Sequence, residues 1–331
     1  MEACMIISRS PVRLSMGGGG TDLRSYYEKH GGFLIAAAIN KYVYIMAEKR
    51  FYKTIRLSYS KTETVDHVDQ IEHKIFREAL KLMKIEKQIE LVSMADVPAN
   101  CGLGTSSSFT VALFNALFEH QRNYKTLPQI AEMACHLEID ILKEPIGKQD
   151  QYASAFGGFN AYWFNKDGSV NVEPVDIKEE NLMELQNNIF LFYIDRPRSA
   201  SAILSIQDNN SKQGDQGTID RLHKIKAIGL RTKKVFESGD IDQFGEILHE
   251  HWMIKKGLSD KISDDYIDEV YATARKHGAL GGKIVGAGGG GFLLLYCPRD
   301  KRKLIAAMNT MGLSPMWFAF EQEGVKIVFY R

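Results

Sequence analysis

Cysteine is sparse in this chain: Cys4, Cys101, Cys135 and Cys297 lie far apart and form no C-x-x-C spacing. Neither a zinc site nor a disulfide framework is therefore encoded, and reduced thiols in a cytoplasmic protein are the simplest reading. An excess of one charge is also missing, with 42 Lys+Arg against 41 Asp+Glu and a formal net charge of +1. Nucleic acid and membrane surfaces are thus not expected as partners, and any basic site must be local. Apolar runs long enough to span a bilayer are lacking. The start, Met1-Glu-Ala-Cys-Met-Ile-Ile-Ser8, carries an acid where an export signal wants a base, so a cytoplasmic location is expected. There is no internal repeat and no low-complexity tract.

What is present is an ordinary globular composition, 44% hydrophobic and 25% charged, over 331 residues, room for two domains. Short β-branched and aromatic runs predict strands at 5–8, 33–39, 42–47, 54–59, 89–93, 159–164, 189–194, 292–296, 316–321 and 325–330. Helical periodicity covers 71–83, 109–117, 130–141, 219–237, 241–255, 266–277 and 301–311. Strands and helices mix without strict β-α alternation, which predicts an α+β fold. Polar, turn-rich sequence at 165–181 suggests a boundary between domains at 1–170 and 180–331, and hydrophilic 207–217 reads as a mobile loop.

Glycine and small hydroxyls are concentrated at three places. Pro98-Ala-Asn-Cys-Gly-Leu-Gly-Thr-Ser-Ser-Ser108 puts two glycines and four hydroxyls before a helical run. Converging backbone N–H groups at a helix N-terminus accept an anion, although this loop lacks the lysine of a standard P-loop. A plain helix cap at Thr105 or Ser106 is the alternative. Upstream, Met16-Gly-Gly-Gly-Gly-Thr-Asp22 leaves backbone open beside a carboxylate suited to sugar hydroxyls, unless Asp22 is an N-cap. Downstream, Gly147-Lys-Gln-Asp150 offers a carboxylate that could orient an attacking hydroxyl or cap a helix. Glu138 is either a solvated helix residue or, beside a phosphate, a magnesium ligand. His249 and His251 are two apart and point to different sides of a helix, which rejects a metal pair.

Three segments in order, Pro11-x-Arg13 with Gly19-Gly-Thr-Asp22, then Gly102-Leu-Gly-Thr-Ser-Ser-Ser108, then Lys283-Ile-Val-Gly-Ala-Gly-Gly-Gly-Gly291, resemble the motifs of the GHMP small-molecule kinases. The resemblance spans nearly the whole chain. It implies an α+β fold with an N-terminal ribosomal-protein-S5-like domain and a C-terminal ferredoxin-like domain. It also implies an ATP- and magnesium-dependent phosphotransferase. A monomer or a homodimer is expected. Within the family, Gly147-Lys-Gln-Asp-Gln-Tyr152, Arg198-Ser-Ala-Ser-Ala-Ile-Leu204 and His249-Glu-His-Trp-Met-Ile-Lys-Lys256 look like the sugar kinases acting on D-glycero-D-manno-heptose 7-phosphate. That likeness implies phosphorylation of the anomeric hydroxyl, toward nucleotide-activated heptose for surface polysaccharide; fucose, a hexose or a hexose phosphate is the alternative acceptor. A non-catalytic sensor of sugar and ATP on the same scaffold is a further alternative.

By the same resemblance Gly102, Leu103, Gly104, Thr105 and Ser106 wrap the ATP phosphates, while Ser107 or Ser108 and Glu138 hold magnesium. Gly19, Gly20, Thr21 and Asp22 meet the sugar. Asp150 is the base or positioning group, with Arg13 beside it. Arg24, Lys148, Arg196 and Arg198 are candidates for the acceptor's phosphate, and Gly288 and Gly289 support the sugar or the phosphate loop. The family's layout places an apolar adenine pocket within 59–76. Galactokinases resemble Gly-Glu-His-Thr-Asp where this chain has Gly18-Gly-Gly-Thr-Asp22, a change expected to open room and disfavour galactose.

Overall fold

Residue 33 begins a run whose seven side chains are all buried, and the reason is a sheet covered on both faces. Along it, Leu34 and Ala36 enter one core while Phe33, Ile35 and Ala37 enter another. Period-two alternation between two apolar layers reads as an unbroken hydrophobic run in sequence. The computed structural model describes residues 5–196 and 200–331. The strands are β1 (Met5–Gly17), β2 (Gly32–Lys49), β3 (Ile55–Ser58), β4 (Thr62–Val65), β5 (Ile89–Ala95), β6 (Phe159–Phe164), β7 (Val170–Pro174), β8 (Ile189–Ile194), β9 (Gly281–Ile284), β10 (Gly291–Tyr296), β11 (Pro315–Met316) and β12 (Lys326–Tyr330). The first sheet runs β12-β1-β2-β5-β3-β4, with β6 and β7 continuing from β2; the second runs β11-β8-β10-β9.

The helices are α1 (Arg24–His30), α2 (Lys74–Leu82), α3 (Thr105–His120), α4 (Leu127–Cys135), α5 (Gln149–Phe156), α6 (Glu179–Asn188), α7 (Ala200–Gln213), α8 (Gln216–Ser238), α9 (Gln243–Lys256), α10 (Asp265–Lys276) and α11 (Lys301–Thr310). Val111, Phe114, Phe76 and Leu80 from α3 and α2 cover one face of the first sheet. Its other face shares a core with α8, α9 and the second sheet through Phe236, Phe244, Leu191 and Leu294. Leu293 and Leu295 point the opposite way, toward Val270 and Leu304 of α10 and α11. The α+β class expected from the sequence is the observed one.

Three expectations change. The stretch 207–217 is mostly helical, because Gln207 and Ser211 of α7 are buried despite their polarity. The predicted strands at 33–39 and 42–47 are one continuous strand, β2. Of 316–321 only Met316 belongs to a strand, although Phe320 bridges to Ile39. β7 pairs with β6, and β12 returns to pair with β1 of the first sheet.

That return is locked at Gly157, which ends α5 with φ +66°. A Cβ there would lie 2.2 Å from the carbonyl carbon of Glu323. Gly157→Ala is expected to lower stability by more than about 2 kcal/mol in urea unfolding, combining left-handed strain with a backbone clash. An unchanged midpoint would show that the 321–325 segment is not held as described.

Candidate active site

Three of the predicted segments meet at one cleft of about 510 Å³ between the two sheets' helices. One wall is the loop leading into α3. Gly104 occupies the N-cap position with φ 78°, and no side chain caps the helix. Thr105 does not supply the cap: its hydroxyl donates to the Pro98 carbonyl at 3.2 Å. The first turn of this 16-residue helix thus has no side-chain cap, and the helix dipole favours negative charge there. Ser106 is exposed, and Ser106 and Ser107 both line the cleft.

Asp150 stands directly across from this loop. A Cβ on Gly104 would be 3.2 Å from its carboxyl carbon, so the glycine is what allows the approach. Asp150 lies in the first turn of α5, whose N-cap is Lys148, so its side chain is not a cap. Arg13 instead holds it: Nε donates to Oδ1 at 2.8 Å and a second guanidinium nitrogen lies 2.6 Å away. The same arginine donates to the Gly102 carbonyl at 2.6 Å, and its own N–H donates to the Leu103 carbonyl. Arg13 therefore ties β1, the loop and Asp150 into one unit.

Glu138 is a buried carboxylate, carried by a π-helical turn, His136–Ile141, that continues α4. Such turns recur at functional positions because they re-aim a side chain. It accepts hydrogen bonds from Ser106 (3.3 Å), Thr110 (3.1 Å) and Gln151 (2.6 Å). Burial pushes its pKa up to about 7, against the pull of these donors. Among the described residues no cation pairs with it.

On the far side, Asp22 accepts from the Gly20 N–H at 3.0 Å and the Gln149 N–H at 3.1 Å. Burial, and then the Asp150 charge, raises its pKa. It does not cap α1, whose N-cap is Leu23. Gly19 and Gly20 line the cleft beside it, but the room expected from the missing bulky side chains is filled. A Cβ at Gly19 would lie 2.9 Å from the Ser15 hydroxyl, and one at Gly20 would lie 2.9 Å from Gln207 Nε2. Gln149 Oε1 contacts Ser15, while its buried Nε2 has no protein partner.

Several expected site residues are placed elsewhere. Thr21 is fully buried, its hydroxyl donating to the Gly18 and Phe33 carbonyls, so it shapes the turn rather than facing the cleft. Ser108 points away, bonding to Pro11, Gly104 and Ser154, which takes its hydroxyl from any cation beside Glu138. Leu103 packs in the core. Arg24 pairs with Asp140 outside the cleft, and Lys148 is held by Glu132 and the Gly168 carbonyl. Arg196 lies over Tyr266 on a different surface. Gly288 and Gly289 turn toward Ile262, and the cleft is lined by Gly286 and Ala287 instead. Arg198 lies outside the described residues. His249 meets Tyr271 while His251 faces Lys283. Sequence reasoning missed Ser15, Gln149, Gln207 and Lys283; for the two glutamines no residue-type signal existed, since exposed glutamines look the same.

The model of the GHMP kinases N terminal domain matches residues 46–158, and that of the GHMP kinases C terminal region matches 232–312. The chain is 31% identical, over 97% of its length and 98% of the relative's, to the D-glycero-alpha-D-manno-heptose 7-phosphate kinase of Campylobacter jejuni. It is 27% identical over 91% of both chains to a galactokinase of Pyrococcus furiosus. A crystal structure described as a D-glycero-D-manno-heptose 1-phosphate kinase from Bacteroides thetaiotaomicron superposes with a TM-score of 0.80 at 27% identity, covering 98% of this chain and 99% of that one. The chain belongs to the GHMP kinases, phosphotransferases that use ATP as donor and a hydroxyl group as acceptor.

Proposed function

We propose that this kinase transfers the terminal phosphoryl group of ATP to the anomeric hydroxyl of D-glycero-D-manno-heptose 7-phosphate, giving the 1,7-bisphosphate. The observation that carries the reading is the placement of Asp150 between an uncapped helix N-terminus and a sugar-suited pocket. In this reading Gly102, Gly104, Ser106 and the α3 N–H groups hold the donor phosphates. Asp22, Gln149 and Gln207 face the acceptor's hydroxyls. Of the segment 59–76, His73, Lys74 and Ile75 line the cleft, and they are assigned to the adenine side.

Asp150 accepts a hydrogen bond from the attacking hydroxyl and aligns it; as a carboxylate with Arg13 on one oxygen it keeps the other for the substrate. Arg13 balances the charge that collects between Asp150 and the incoming oxygen. A divalent cation fits Glu138, a buried carboxylate with hydroxyls and no basic partner around it. Glu138 with Ser106 and Ser107 would hold magnesium, whose chemistry there is neutralisation of phosphate charge.

A panel of acceptors with ATP tests the substrate. Heptose 7-phosphate is expected to exceed unphosphorylated heptose, galactose and fucose in kcat/KM by about 100-fold or more. Equal rates across the panel would refute the acceptor, and binding of sugar and ATP without turnover would mean a sensor.

A further inference from the structure

An acceptor that carries a phosphate needs cations, and Arg24 and Lys148 are held by acids outside the cleft. A different basic group lines it. His251 and Lys255 lie one turn apart on α9, and Lys283 lies on β9; all three face the cavity. Lys283 is 2% exposed. Its Nζ stands 3.3 Å from His251 Nδ1 and 3.4 Å from the Met16 carbonyl oxygen, and among the described residues no carboxylate pairs with it. Lys255 Nζ donates to the carbonyls of Ile284 (3.0 Å) and Gly286 (2.5 Å). The neighbouring charges on Lys283 are those of Lys255 and Arg13, which, after burial, push its ammonium well below the ordinary range. The cleft's acids are occupied elsewhere: Asp22 by the Gly20 and Gln149 N–H groups, Asp150 by Arg13, Glu138 by Ser106, Thr110 and Gln151, and Glu144 by Ser201. A buried lysine facing two more cations and no acid is unfavourable until an anion arrives.

We propose that Lys283, with Lys255 and His251, is a phosphate-monoester seat of the cleft, separate from the loop at α3. The proposal rests on the cleft taking a phosphate-bearing acceptor alongside ATP. The acceptor's own phosphate and the donor's terminal phosphate share this chemistry, and binding measurements separate them.

Calorimetry on the full chain, with Lys283→Met and Lys283→Arg, uses four probes: heptose 7-phosphate, unphosphorylated heptose, ATP and inorganic phosphate. Lys283→Met is expected to weaken heptose 7-phosphate and inorganic phosphate by about tenfold or more, the scale of a lost charge-assisted hydrogen bond. Unphosphorylated heptose stays within about twofold, and Lys283→Arg recovers most of the loss. A loss confined to ATP and inorganic phosphate assigns the seat to the donor's terminal phosphate. The proposal is overturned if all phosphorylated probes bind Lys283→Met within about twofold of wild type. It is overturned equally if unphosphorylated heptose weakens as much as they do. Should Lys283→Met not fold, Lys255→Met, at a half-buried position, carries the same comparison. Wild type that binds inorganic phosphate but not heptose 7-phosphate would fail the acceptor assignment while leaving the seat intact.

Discussion

Asp150→Asn is expected to lower kcat by about 100-fold or more with little change in KM for ATP, the usual scale for losing a positioned proton acceptor. The variant should remain folded. Its side chain is 28% exposed, and asparagine keeps a carbonyl oxygen for the two Arg13 donors at Oδ1. What disappears is the negative charge at the point where the hydroxyl must give up its proton. Steady-state kinetics with a thermal melt as control reads the result. A near-wild-type kcat would remove Asp150 from the chemistry and leave Arg13–Asp150 as a structural ion pair.

Glu138→Gln is expected to separate activity from stability. A carboxyl whose folded pKa is about 7, against an ordinary 4.5, binds a proton in the folded state that the unfolded chain has already released. Wild-type stability therefore falls as pH rises from about 4.5 to about 7, and above that the full penalty of a buried charge remains. Glutamine carries no such penalty. It also fits, because Gln151 has a buried Oε1 without a protein partner and can flip its amide to accept from the new Nε2. At pH 8 the variant should be more stable by about 1–3 kcal/mol, with the difference vanishing near pH 4. Activity should nevertheless drop by about 100-fold, since an amide is a poor ligand for a hard divalent cation. In wild type the apparent magnesium affinity should weaken about tenfold per pH unit below 7, as protons compete for the carboxylate. Chemical denaturation and magnesium titrations across pH 5–8 measure both. A variant that is less stable at pH 8 and still active would contradict the assignment of Glu138.

How far the sequence carried the fold depended on how local each signal was. Strand in β2 was legible in its apolar runs, and α3 in its periodicity, because both patterns report burial directly, whereas the covering of that sheet on both faces shows only in the fold. The helix at 200–213 was not, since it buries the polar residues Gln207 and Ser211, and the partner of Gln207 comes from elsewhere in the chain: its Nε2 donates to the Gly20 carbonyl. The return of β12 to β1 joins residues more than 300 apart and leaves no local trace. At the site, the glycine loops and Asp150 stood out because backbone freedom beside acids is rare. The cations did not. Charge and proximity to a motif singled out Arg24 and Lys148, whereas the fold pairs each with an acid and buries Lys283 without one.

The central claim is that the loop at α3 and Asp150 act on one donor and one sugar hydroxyl in a single cleft. Phosphorus NMR of a turnover mixture containing the enzyme, ATP, magnesium and heptose 7-phosphate tests this most directly. The account predicts a new anomeric phosphate resonance growing one-for-one with ADP, and growth slowed by about 100-fold or more with Asp150→Asn. ADP formed with inorganic phosphate alone, or a phosphate attached at a carbon other than C1, would contradict it.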